Sequence, residues 1–143
     1  KKRHTIKNTV ISHKSGGNIL FVGKSHPGCT QDKKMAKEDI PVFPAGSLLW
    51  PDTGYQGYLP AGVIMTYQPR KKLKNKEGRA EDKSFNREVS AIRVRVEHAI
   101  GGLKRSNIIS DIYRNRRGDF EDQVLPIAAG LHNFRMSMRA AGK

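Results

Sequence analysis

Thr5-Ile6-Lys7-Asn8-Thr9-Val10-Ile11-Ser12, Ser15-Gly16-Gly17-Asn18 and Ile19-Leu20-Phe21-Val22 together decide the fold class. Two β-rich runs flank a cluster of turn residues, which is the pattern of an antiparallel hairpin. Pro27-Gly28 ends the second run, and Thr30 offers an N-cap to a short helix over 31–37. The stretch 40–46, with Pro41 and Pro44, reads as a connector. Ser47-Leu48-Leu49-Trp50 is a brief apolar strand that stops at Pro51-Asp52-Thr53-Gly54, and 63–67 is a further short strand ending before Pro69.

From 81 to 105 the period becomes helical: Val89, Ile92, Val96, Ala99 or Ile100, and Leu103 recur at three- and four-residue steps. Gly101-Gly102 near its end marks a bend or the close approach of another backbone. A short extended or helical piece is expected at 108–113. Asp119 is the predicted N-cap of a last helix reaching 139, with Val124, Ile127, Ala128, Leu131 and Phe134 as its apolar stripe. Pro126 is tolerable only near the first turns of that helix. The order strand, strand, helix, strand, strand, long helix, helix predicts an α/β fold rather than a bundle or a sandwich.

The 143 residues suffice for one domain. Hydrophobic residues make up 36% and charged residues 28%, so the expected core is modest and the surface rich in charge. Lys and Arg number 27 against 13 Asp and Glu, a net charge of +14, which favours a polyanionic partner over a merely solvated basic face. Arg70, Lys71, Lys72, Lys74 and Lys76 make 70–80 a basic loop. Cys29 is the only cysteine, which excludes an internal disulfide framework and a cysteine-rich zinc site and makes a reducing, cytoplasmic setting the default. No apolar run approaches the ~18 residues that span a bilayer, so no membrane role is expected. The opening Lys1-Lys2-Arg3, without an initiator Met, reads as the start of a fragment.

Candidate chemistry sits on the long helix and after the third strand. At ~100° per residue, Arg93, Glu97 and Lys104 fall within roughly 40° of one another. Beside the apolar stripe, Glu97 is expected half-shielded at the core border; the alternative is a surface Arg93–Glu97 ion pair. Asp52 follows a strand end, where α/β sheets place ligands and metals, although Asp-Thr-Gly is also good turn chemistry. Two such carboxylates among basic residues suit a hard cation acting on a phosphodiester. Asp32 is read as structural at a helix start, and His98 and His132 as packing or hydrogen-bonding residues.

Arg93-x3-Glu97-x6-Lys104 resembles the C-terminal signature of insertion-sequence transposases of the DDE superfamily. Further segments agree in order along nearly the whole chain: Lys2-Arg3-His4-Thr5-Ile6-Lys7-Asn8, Pro27-Gly28-Cys29-Thr30-Gln31-Asp32, Pro51-Asp52-Thr53-Gly54-Tyr55-Gln56-Gly57, Val94-Arg95-Val96-Glu97-His98-Ala99-Ile100-Gly101-Gly102 and Gly130-Leu131-His132-Asn133. Two departures stand out: Ser90 replaces the signature's Tyr, and Gln31 replaces the His of a His-Asp pair.

The resemblance implies a ribonuclease H-like mixed sheet with flanking helices. It makes 1–143 a partial catalytic domain whose first, central strand and first Asp lie upstream, so the fragment is expected to be inactive alone. Asp52 and Glu97 become the catalytic, metal-binding carboxylates for paired Mg2+ or Mn2+. Arg93, Lys104, Arg70, Lys71, Lys72, Arg114, Arg116 and Arg117 become DNA contacts. The implied partners are transposon and target DNA, an upstream transposase segment or second subunit, and a homo-oligomer when active, associated with the bacterial nucleoid. The competing classes are a non-catalytic DNA-binding remnant and a basic RNA-binding protein; the latter lacks the glycine-aromatic signatures of the common RNA modules.

Overall fold

The computed structural model describes residues 5–70, 80–110 and 119–142. The elements are β1 (Ile6–Ser12), β2 (Ile19–Pro27), α1 (Asp32–Asp39), β3 (Ser47–Leu49), a 3-10 turn at Thr53–Tyr55, β4 (Val63–Thr66), α2 (Ala80–Leu103), α3 (Asn107–Ser110) and α4 (Phe120–Ala141). The fold is mixed α/β, and its described strands form two separate two-stranded sheets. Two compact units are distinguished, one of Lys1–Pro41 with Arg95–Lys143 and one of Val42–Val94.

In the first unit β1 and β2 pair antiparallel, with Val10 opposite Val22 and Ser12 opposite Ile19. Gly16 closes the turn at φ +78°, and a Cβ there would lie 2.8 Å from the carbonyl oxygen of Arg95, so both backbone and space require glycine. β2 runs past Val22 to Pro27 because Ser25 and His26 continue the ladder opposite Asn8 and Lys7, and Asn8 donates to Ser25 Oγ at 2.9 Å. α1 buries Met35 and Ala36 and packs on the hairpin. Its N-cap position is Gln31, with no side-chain hydrogen bond, rather than the expected Thr30.

Ile19, Ala99, Leu103, Leu125, Ala128 and Ala129 form the core of this unit, with Val10, Val22 and Ile109 against them. The expected stripe of α4 is corrected: Ile127, Leu131 and Phe134 are exposed, while Leu125, Ala128, Ala129 and His132 are buried. The helix is apolar on two faces, and the buried one is selected by polar groups. His132 Nε2 contacts the Gly17 carbonyl at 2.8 Å, Asn133 Oδ1 accepts the Ile19 N–H, and Asn133 Nδ2 donates to the Ile19 carbonyl, both at 2.8 Å. Asp119 is left-handed, at φ 59°, and caps nothing with its side chain. Pro126 falls in the second turn, where its missing N–H forgoes the bond to the carbonyl four residues back.

In the second unit β3 and β4 are parallel, with Ser47 opposite Val63 and Leu49 opposite Thr66. Val63 and Val89 are buried, and the ring of Trp50 stacks on Tyr67 at 5.0 Å, which in turn meets Phe85 at 6.3 Å. These aromatic contacts join the strand ends to the first turns of α2.

Replacing Asn133 by Ala leaves both backbone groups of Ile19 without their partner. The expected loss is about 2 kcal/mol of unfolding free energy, read by urea denaturation. A change below about 0.5 kcal/mol would show that water satisfies these groups equally well.

Candidate functional site

Pro51 ends the extended run, and Asp52 turns the chain into the 3-10 turn Thr53–Tyr55 as its N-cap. Asp52 Oδ1 accepts the Thr53 N–H at 2.7 Å. Its backbone carbonyl accepts the Tyr55 N–H at 3.0 Å and the Gln68 Nε2 amide at 2.8 Å. The turn reading of Asp52 therefore holds, and it does not exhaust the carboxylate. Arg93 Nη2 lies 3.0 Å from the same Oδ1, with the Asp52 side chain 56% exposed and the Arg93 side chain 34% exposed. Asp52 and Arg93 are thus brought together just past the C-terminal end of β3, the end of a strand at which α/β sheets bind ligands.

Glu97 is exposed, not half-shielded, and has no ion-pair partner among the described residues. The reason is angular: at ~100° per residue Glu97 points about 120° away from the middle of the buried Val89–Ala99–Leu103 stripe. Lys104, also exposed, follows the last residue of α2, and its backbone N–H bonds to the Ile100 carbonyl at 3.0 Å. Glu97 and Lys104 belong to the first compact unit, Asp52 and Arg93 to the second.

Arg70 is held in place by three residues near the start of α2. Its Nη1 lies 2.7 Å from Asp82 Oδ1, and its guanidinium carbon sits 4.5 Å above the Phe85 ring. Asn86 accepts the Arg70 N–H at 2.8 Å and donates to the Arg70 carbonyl at 3.1 Å. Beside it Thr53, Gln56, Gln68, Pro69 and Arg70 line an open cavity of about 360 Å³. Lys71, Lys72, Arg114, Arg116 and Arg117 lie outside the described residues, as does most of the basic loop 70–80.

Asp32 begins α1 and pairs with Lys7 at 3.2 Å, a structural role as expected. His132 is buried and hydrogen-bonded, whereas His98 is exposed. The sequence reading missed Gln68, Phe85, Asp82 and Asn86. The last three share an i, i+3, i+4 spacing that faces one neighbour, a signal visible only once that neighbour is known to be Arg70. It also missed His26, whose ring nitrogens meet Asp39 at 3.1 Å and Glu38 at 3.4 Å. Among the described residues no group of three His, Cys, Asp or Glu side chains is placed to hold a metal ion. No described helix is long and apolar enough to cross a membrane.

No solved structure matches the chain. It is similar to a probable transposase for insertion sequence element IS702 of Microchaete diplosiphon, with 31% identity over 137 residues, covering 96% of this chain and 49% of the relative. The chain thus spans about half the length of that relative. The family described as DDE superfamily endonuclease matches residues 1–133, so the chain belongs to the DDE superfamily endonucleases.

Proposed function

We propose that residues 1–143 form part of the ribonuclease H-like catalytic domain of a DNA transposase, with Asp52 and Glu97 as metal-binding carboxylates. The observation that carries this reading is the Asp52–Arg93 pair at the end of β3 in a chain of this family. The donor chemistry fits: carboxylate oxygens are hard ligands suited to Mg2+ or Mn2+, and Asp52 already attracts a cation, the Arg93 guanidinium. When bound, the metal supplies the Lewis acidity that activates water or a DNA 3′-hydroxyl for in-line attack on a phosphodiester. Asp52, fixed by its cap to Thr53, presents one carboxylate; Glu97 supplies a second. Arg93 offers a planar fork to a phosphate once a cation replaces it on Asp52, and Lys104 offers a point charge. Lys71, Lys72, Arg114, Arg116 and Arg117 add backbone contacts that position DNA without reading its sequence.

A second reading, a DNA-binding module without metal chemistry, is favoured by the net charge of +14. Titration calorimetry with Mn2+ separates the two. The transposase reading expects Asp52→Ala to weaken Mn2+ binding at least about tenfold, the scale of losing one charged ligand. Unchanged Mn2+ affinity would leave the binding module as the answer.

Duplex affinity, followed by fluorescence anisotropy, should fall by about tenfold or more between 50 and 200 mM salt, as expected for release of counterions by several phosphate contacts. Asp52→Asn removes a negative charge and should hold or raise metal-free duplex affinity, while Arg93→Ala should lower it. Arg93→Ala should also cost less than about 1 kcal/mol of stability, because the pair it breaks is partly exposed. A larger loss would assign Arg93 to the fold instead.

A further inference from the structure

We propose that the cavity lined by Thr53, Gln56, Gln68, Pro69 and Arg70 seats one unpaired nucleobase of a DNA strand. This rests on the DNA-processing reading above and deepens it by naming a subsite. The volume of about 360 Å³ lies at the lower end of small-molecule sites and suits one nucleoside.

Among the described residues Arg70 is the only cationic side chain in the lining, and its charge is already answered by Asp82 at 2.7 Å. A phosphate entering here would meet the Asp82 carboxylate as well as the guanidinium, so the site is poorly made for an anion. It is better made for a flat, neutral ring. Phe85 backs the guanidinium at 4.5 Å, Asp82 fixes its rotation, and Asn86 holds the Arg70 backbone at both N–H and C=O. The side chain still keeps 57% of its surface exposed. A guanidinium plane held in this way is a stacking surface for a base, with little ordering left to be lost on binding.

The polar lining fits the edge of a base. Gln56 and Gln68 each carry an amide with both donor and acceptor, the pairing that reads a base edge. Gln68 is oriented by its bond to the Asp52 carbonyl at 2.8 Å, which leaves its Oε1 and second N–H without a partner among the described residues. Because Thr53 and Gln68 both bond to Asp52, a base seated here brings its strand beside the proposed metal-binding carboxylate.

The test uses the 143-residue chain and two duplexes, one with a single extrahelical 2-aminopurine and one with the same base paired. Wild type is expected to bind the extrahelical duplex about tenfold tighter, the scale of one base-stacking contact, and to change the emission of the probe. Arg70→Lys keeps the charge but has no plane, and should bring the affinity ratio to about one. Gln56→Ala, at an exposed position where folding is not at risk, should lower the ratio about fivefold, the scale of one hydrogen bond. Equal binding of both duplexes by wild type, or an unchanged ratio in both variants, would overturn the pocket and leave the DNA reading standing. Binding to neither duplex at low salt would overturn the DNA reading and this inference together.

Discussion

A single side-chain amide sets the arrangement of the hairpin and the helices packed on it. Asn133 takes both the N–H and the carbonyl of Ile19, and His132 beside it takes the carbonyl of Gly17. Burial of apolar surface has no preferred direction, so it would accept either apolar face of α4. Hydrogen bonds to three backbone groups of one short stretch are directional, and they admit one rotation of the helix. With that rotation Leu125, Ala128 and Ala129 face Ile19, while Ile127, Leu131, Phe134 and Met138 turn outward. Gly102 follows from the same contact, because a Cβ there would meet the His132 ring. Arg135 completes the set by donating to His132 Nδ1 at 2.9 Å and to the Gly102 carbonyl at 3.3 Å, which makes Nε2 the nitrogen that carries the proton toward Gly17.

This also explains which parts of the fold were legible in the sequence. The hairpin, the two short strands and the long helix announce themselves through alternation, turn residues and a 3.6-residue period, all local properties. The face of α4 was not local: its stripe of Ile127, Leu131 and Phe134 carries larger apolar side chains than the Leu125, Ala128, Ala129 and His132 that the protein buries. The decision rests on Asn133 meeting Ile19, 114 residues away. Asp119 does occupy the N-cap position of α4, but its side chain makes no capping bond, and Thr30 lies one residue before the N-cap of α1. A capping residue must take an extended backbone, and Asp119 sits at φ 59° while the N-cap of α1 is displaced to Gln31. At the site, motif spacing pointed to Asp52 and Arg93, which the structure pairs at 3.0 Å, but it could not say that Arg93 would choose Asp52 over the Glu97 one turn along its own helix.

The count of 27 Lys and Arg overstates how many cations are free to meet an anion. Lys7 is paired with Asp32, Lys34 with Glu38, Arg70 with Asp82 and Arg93 with Asp52. Position in a basic run is therefore a poor guide to role. Arg70 begins the most basic stretch of the chain and yet is the most fully engaged of these cations, held by a carboxylate, an aromatic face and a backbone clamp.

Arg93 and Arg70 show how two arginine–carboxylate pairs of similar length can serve opposite ends. The Arg93–Asp52 contact, at 3.0 Å, is a single partly exposed ion pair worth at most about 1 kcal/mol, so solvent, a cation or a phosphate can replace it at little cost. In the proposed reaction each group would keep a partner of opposite charge: Asp52 would hold a divalent cation in place of the guanidinium, and Arg93 would hold a phosphate in place of the carboxylate. Neither group need be left uncompensated at an intermediate stage, so the approach of one component lowers the cost of admitting the other. Arg70 has no comparable freedom, because leaving Asp82 would also forfeit its place on Phe85. A loosely paired arginine suits an exchange of partners, and a clamped one suits a fixed surface; the chain places one of each beside Asp52 and the adjoining cavity.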